Sequence, residues 1–161
     1  MKKLDEKTLR QHKGISFVGI STVFFCHDGN GKFLMSKRSK NTRDEQGKWE
    51  IPGGGLKWGS TAIDNVKREV KEELGANPKE ISLMGYRDVF RTIDGAKTHW
   101  LMIDFCVLVD PKEVMRNELD NADEIGWFTL DEQPSPVHSQ HKKLMKKYKD
   151  YFSKVLGDKK R

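Results

Sequence analysis

Glu69, Glu72 and Glu73 stand three and four residues apart, so on a helix they share one stripe. Such a stripe is costly. The acids fall near the C-terminal end of the segment, where the helix dipole disfavours anions. In a cleft of effective dielectric near 20, two carboxylates ~6 Å apart repel by ~3 kcal/mol. A hard divalent cation removes the conflict. Mg2+ fits best, because it prefers carboxylate and water oxygens and commonly bridges protein acids to substrate phosphates. Gly53, Gly54 and Gly55 lie just upstream and let backbone approach the acidic face. Without that loop, the same acids would read as a solvated face paired with Lys67, Arg68 and Lys71.

The acids need a helix to hold them, and residues 60–74 supply one. Ser60 or Thr61 serves as N-cap, and Asp64 lies where a capping box would place its acid. Gly75 provides the stop. Ala62, Ile63, Val66, Val70 and Leu74 recur at helical spacing and form the expected buried stripe.

Taken together, residues 54–76 resemble the signature of Nudix hydrolases, G-x5-E-x7-R-E-U-x-E-E-x-G-U with U aliphatic. Gly54, Arg68, Glu69, Val70, Glu72, Glu73 and Gly75 match it. The lead-in from Gly47 to Gly53 is also similar to that of the family. Ser60 departs from the pattern, standing where the first glutamate falls, and Ala76 is smaller than the usual last aliphatic. The resemblance implies an α/β fold, the Nudix-type α/β/α sandwich with a mixed β-sheet between helices. It implies a Mg2+-dependent pyrophosphohydrolase, with Mn2+ as a substitute. The substrate would be a small nucleotide, either a nucleoside triphosphate or a nucleotide sugar. Water would attack phosphorus and split the diphosphate linkage.

The same resemblance assigns roles. Glu69, Glu72 and Glu73 hold the metal with Gly54, and Glu69 or Glu72 orients or deprotonates the water. Arg68 holds the Glu69 carboxylate by a charge-assisted hydrogen bond. A distant acid completes such sites. Glu118, Asp120, Asp123 and Glu124 compete for the place, and Glu118 is favoured. Ser60 leaves Arg68 without the acid that supports it in the family, which opens an alternative, a catalytically weak nucleotide-binding sensor. For the substrate, Lys37 and Arg38 end a strand near the expected cleft, and Arg43 follows on a charged loop. Trp58 lies within the glycine loop, where it could stack on a base or sugar. His99, Trp127 and His138 read as structural.

The chain has 161 residues, the size of one domain over 1–161, with 35% hydrophobic and 34% charged residues. Residues 1–13 are polar and read as a short helix or an arm. Strands are expected over 15–25, 32–39, 49–52, 80–91, 98–109 and 124–128, and an amphipathic helix over 139–157. The net charge of +6 lies largely in the lysines of that last segment. Their apolar neighbours Leu144, Met145, Tyr148, Phe152 and Val155 favour a helix packed on the domain over a nucleic-acid or membrane surface. No apolar run is long enough to span a bilayer and no signal-peptide pattern opens the chain. Cys26 and Cys106 lie in strand-like runs and read as reduced core thiols, which fits a cytoplasmic protein. A homodimer is compatible with the family, and the sequence does not decide it.

Overall fold

Alternating side chains show that the central sheet is covered on both faces. In a computed structural model, which describes residues 5–157, β1 (Gly19–His27) sends Phe24 and Cys26 to one face and Phe25 to the other. β2 (Phe33–Arg38) does the same with Leu34 against Phe33 and Met35. This is the period-2 pattern of a strand buried on both sides. The remaining strands are β3 (Trp49–Glu50), β4 (Gly53–Gly55), β5 (Glu80–Ile93), β6 (Ala96–Leu108) and β7 (Ala122–Phe128).

All seven strands join one mixed sheet in the order β3-β2-β1-β6-β5, with β4 paired to β1 and β7 to β2. β1 runs parallel to β6, and the other pairings are antiparallel. The helices are α1 (Glu6–His12), α2 (Ala62–Leu74), α3 (His141–Lys147) and α4 (Lys149–Leu156). Val66, Val70 and Leu74 of α2 pack on one face with Phe24, Leu34, Phe105 and Val107. Leu144, Tyr148, Phe152 and Leu156 cover the other with Phe25, Phe33 and Cys106. The α/β/α layering expected from the sequence is therefore present.

Several boundaries differ from the sequence expectation. Residues 15–18 precede the strand, and Ile15, Phe17 and Val18 are exposed. The glycine loop itself forms β4, because its backbone pairs with Ser21, Thr22 and Val23 of β1. The expected helix over 139–157 breaks at Tyr148. There the Tyr148 hydroxyl donates to buried Asp104 (2.8 Å), which also receives Nε and Nη2 of Arg87. Cys26 and Cys106 are buried free thiols, as expected, and they belong to opposite faces of the sheet. No helix among the described residues is long and apolar enough to cross a membrane.

Candidate active site

Both ends of α2 are closed by specific contacts. Thr61 is the N-cap: its hydroxyl oxygen accepts from the Asp64 amide (3.1 Å) and donates to the Asp64 carboxylate (2.8 Å). At the far end Gly75 adopts φ +67°, the left-handed conformation that glycine enters without a Cβ penalty. The last carbonyls of a helix lack partners within it. Here the loop after β6 supplies them. The amide of Met115 donates to the Leu74 carbonyl and that of Asn117 to the Glu73 carbonyl, each at 2.9 Å. The Asn117 side chain reaches the Glu72 carbonyl (2.9 Å). This clamp brings Glu118, the favoured distant acid, to the same cavity as Glu73.

That cavity has a volume of about 210 Å³. Glu73, Glu50, Glu118 and Gly53 line it, as do Arg10, Arg38 and Arg43. Burial pushes the Glu73 carboxyl well above the usual carboxylate range, and the neighbouring acids Glu69, Glu118 and Glu50 push it further. Burial also raises the Glu50 carboxyl, against the pull of Arg38. Among the described residues, Glu73 has no salt-bridge partner. A hard cation suits such a set: the carboxylates converge, they are hard oxygen donors, and the chain does not neutralise all of them.

Arg68 organises the second half of the site. Its Nη2 donates to Glu69 and its Nη1 to Glu72, both at 2.6 Å. The expected Arg68–Glu69 bond is thus present, and Glu72 shares the same guanidinium. Glu69 lies flat against Gly54, where a Cβ would fall 2.1 Å from the Glu69 carboxyl carbon. Only glycine permits that approach.

The structure places other expected residues differently. The Gly54 carbonyl accepts from Ser21 Oγ (2.8 Å) and Thr22 Oγ1 (3.3 Å), so its lone pairs turn toward β1, and Gly53 lines the cavity in its stead. Lys37 forms a surface pair with Glu124 (2.8 Å) and does not line the cavity, because β2 and β7 align the two residues. Arg38 does line it, but its guanidinium is committed to Glu50 and Asp44. Trp58 is 93% exposed on the glycine loop, away from the cavity lining. Ile63 is 48% exposed, and buried Asn65 lies on the inward side of α2 in its place.

Glu50, Arg10 and Asn65 escaped the sequence reading. For Glu50 a signal existed. Trp49 and Ile51 belong to the layer opposite α2, so strand alternation puts Glu50 on the α2 side. For Asn65 the signal was its place four residues before Glu69. Arg10 arrives from α1, and nothing local announced it.

A second acidic group lies nearby. Asp44, Glu45 and His138 place three ligand-type atoms within 4.8 Å of one another. Both carboxylates are already bound by guanidinium groups, Asp44 by Arg38 and Arg91 and Glu45 by Arg91. The group reads as an ion-pair knot that closes the loop after β2.

Known proteins share this fold. The NUDIX domain family matches residues 19–148. An ADP-ribose pyrophosphatase of Methanocaldococcus jannaschii is 32% identical over 151 residues, 92% of this chain and 81% of that protein. The nucleoside triphosphatase NudI of an Enterobacter species is 28% identical, covering 62% of this chain and 74% of its own length. The crystal structure of a MutT NUDIX hydrolase from Burkholderia pseudomallei superimposes with a TM-score of 0.71 at 25% identity, over 81% of this chain and 97% of that one.

Proposed function

The chain belongs to the Nudix family of hydrolases, and from that premise we propose that it cleaves the diphosphate bond of a nucleoside diphosphate sugar, with ADP-ribose as the first compound to test. The observation that carries this reading is the crowding of Glu69, Glu118 and Glu50 around Glu73. A relative named as an ADP-ribose pyrophosphatase over 92% of the chain supports the choice of substrate. The cavity, at about 210 Å³, is below the ~300 Å³ of a pocket that encloses a whole drug-sized ligand. It matches a diphosphate better than a whole nucleotide, so the nucleoside extends toward its rim.

Glu69, Glu72, Glu73 and Glu118 would hold Mg2+, joined by Glu50. The ion, when bound, neutralises phosphate charge and lowers the pKa of a bound water. The chain's own groups do the rest. Arg68 fixes the Glu69 and Glu72 carboxylates relative to each other. Glu69 or Glu72 takes the proton of the attacking water, within the range of a positioned general base. Arg10 and Arg43 at the cavity give the negative phosphates a cationic wall that the acids alone would deny them. The test is incubation with Mg2+ and ADP-ribose, a nucleoside triphosphate or a second nucleotide sugar, followed by mass spectrometry. AMP with ribose 5-phosphate is expected from ADP-ribose. A folded protein that binds ADP-ribose and turns over none of the three would instead favour a nucleotide sensor.

A further inference from the structure

Asn65 is 0% exposed, the fourth residue of α2, on the side that faces the glycine loop. Asparagine is a poor choice there. It weakens a helix interior, and a buried amide is costly unless all its bonds are made. Here all of them are made. Its Oδ1 accepts from Arg68 Nη2 (2.6 Å) and from the Lys57 amide (3.3 Å). Its Nδ2 donates to Thr22 Oγ1 (2.9 Å) and lies 3.5 Å from the Gly54 carbonyl. The amide cannot be turned round, because a guanidinium and a backbone N–H have nothing to accept with. Four segments meet at this one side chain: β1, β4, the loop at Lys57, and the next turn of α2.

Ser60 makes no comparable link. Its hydroxyl donates to the neighbouring Thr61 carbonyl and its amide to Lys57. The anchoring of Arg68 therefore falls to Asn65. Arg68 Nη2 is shared between Asn65 and Glu69, while Nη1 holds Glu72. With Oδ1 in place the guanidinium has a fixed plane, and with it so do two of the acids.

We propose that Asn65 is a positioning residue of the hydrolytic site: it locks the Arg68 guanidinium, and through it Glu69 and Glu72, to the glycine loop. This deepens the hydrolase reading and rests on it. Asn65 touches no substrate, so its effect should appear in turnover and not in binding.

The test uses Asn65→Leu, which keeps the shape and removes both polar ends, and Asn65→Asp, which keeps the acceptor for Arg68. Steady-state kinetics with Mg2+ and ADP-ribose are combined with 15N NMR of the arginine side chains, the Arg68 signals being assigned by their loss in Arg68→Lys. Asn65→Leu is expected to lower kcat roughly ten- to hundredfold, the usual range for a partner behind a metal ligand, with KM nearly unchanged. Its Arg68 Nη signals should average together as the guanidinium rotates freely. Asn65→Asp should recover most of kcat and keep the Nη signals distinct. A folded Asn65→Leu with wild-type kcat and distinct Nη signals would overturn the proposal, as would an Asn65→Asp no better than Asn65→Leu. Should Asn65→Leu fail to fold, Thr22→Val removes the anchor from the other side and is expected to shift kcat and the Nη signals in the same direction, while no shift in either overturns the proposal. If wild type leaves ADP-ribose untouched, the substrate reading fails, and the Nη signals alone decide the role of Asn65.

Discussion

Two acidic clusters of this molecule meet at Arg38, which binds Glu50 of one and Asp44 of the other, and they are built on opposite principles. Around Glu45, the charges are matched within the chain. Arg91, Lys48 and Ser139 all bind its carboxylate. Burial alone would raise the Glu45 carboxyl, but the Ser139 and Lys48 hydrogen bonds and nearby His138 outweigh it and hold it at about 2. At Glu73 no ion pair matches the charge among the described residues, and burial with neighbouring acids drives that carboxyl the other way. A matched cluster stabilises the fold. An unmatched one stores repulsion that a proton or a ligand from outside relieves, which is where functional sites are found.

The contrast can be attacked from both ends. Glu72→Gln should cost the most in function, lowering turnover roughly 10²- to 10⁴-fold while circular dichroism and Tm stay near wild type. Its carboxylate is 53% exposed, so the core loses nothing. Arg91→Ala should do the reverse. It leaves Asp44 with Arg38 alone and Glu45 with Lys48 and Ser139, although their side chains are only 13% and 15% exposed. Urea unfolding should show a loss of about 3 kcal/mol, with Mg2+ affinity retained. An Arg91 variant as stable as wild type would mean that the knot is not structural.

Mg2+ itself should separate the clusters next. At a hundredfold excess over its Kd it should stabilise wild type by about 2.7 kcal/mol. Calorimetric scans of Glu73→Gln should show far less gain, and an equal gain would move the metal elsewhere. The smallest effect expected is that of pH. Burial lowers His138 and His141 to about 4 from an ordinary 6.5. The unfolded chain takes up these protons near 6.5 and the folded chain does not until about 4. The histidines' share of the stability should therefore fall as pH drops across that window, while protonation of the raised Glu73 and Glu50 carboxyls acts in the opposite sense. Glu45 adds a further loss only as pH falls toward 2. Urea midpoints of wild type and His141→Gln at pH 7, 5 and 4 check this, and wild type should lose stability relative to the variant as pH drops.

The acidic helix was legible because its chemistry is local. Gly54, Arg68, Glu69, Glu72, Glu73 and Gly75 lie within one loop and one helix, and fixed spacing there fixes geometry. The layered fold was legible too, since β1, β2 and β6 alternate between two apolar faces. What the sequence hid was set by tertiary pairing. Lys37 looked free for phosphate until β7 brought Glu124 opposite it. Arg38 looked the same until Asp44 and Glu50 claimed it. The Gly54 carbonyl looked like a ligand until β4 turned it toward two hydroxyls of β1. Ile63 fitted the apolar period, yet it turns outward at 48% exposure, and the inward face of α2 carries an amide at Asn65 instead. Arg10 could not be assigned without knowing where α1 docks.

The opposed thiols of the sheet have a practical use. Phe25 and Cys106 face one helical layer, and Cys26 and Val107 the other, although the pairs are neighbours in register. Each layer thus carries its own chemical clock. A thiol reagent can reach Cys26 only when α2 lifts away, and Cys106 only when α3 and α4 do. Labelling rates at the two positions would time the opening of the α2 layer separately from that of the layer behind it.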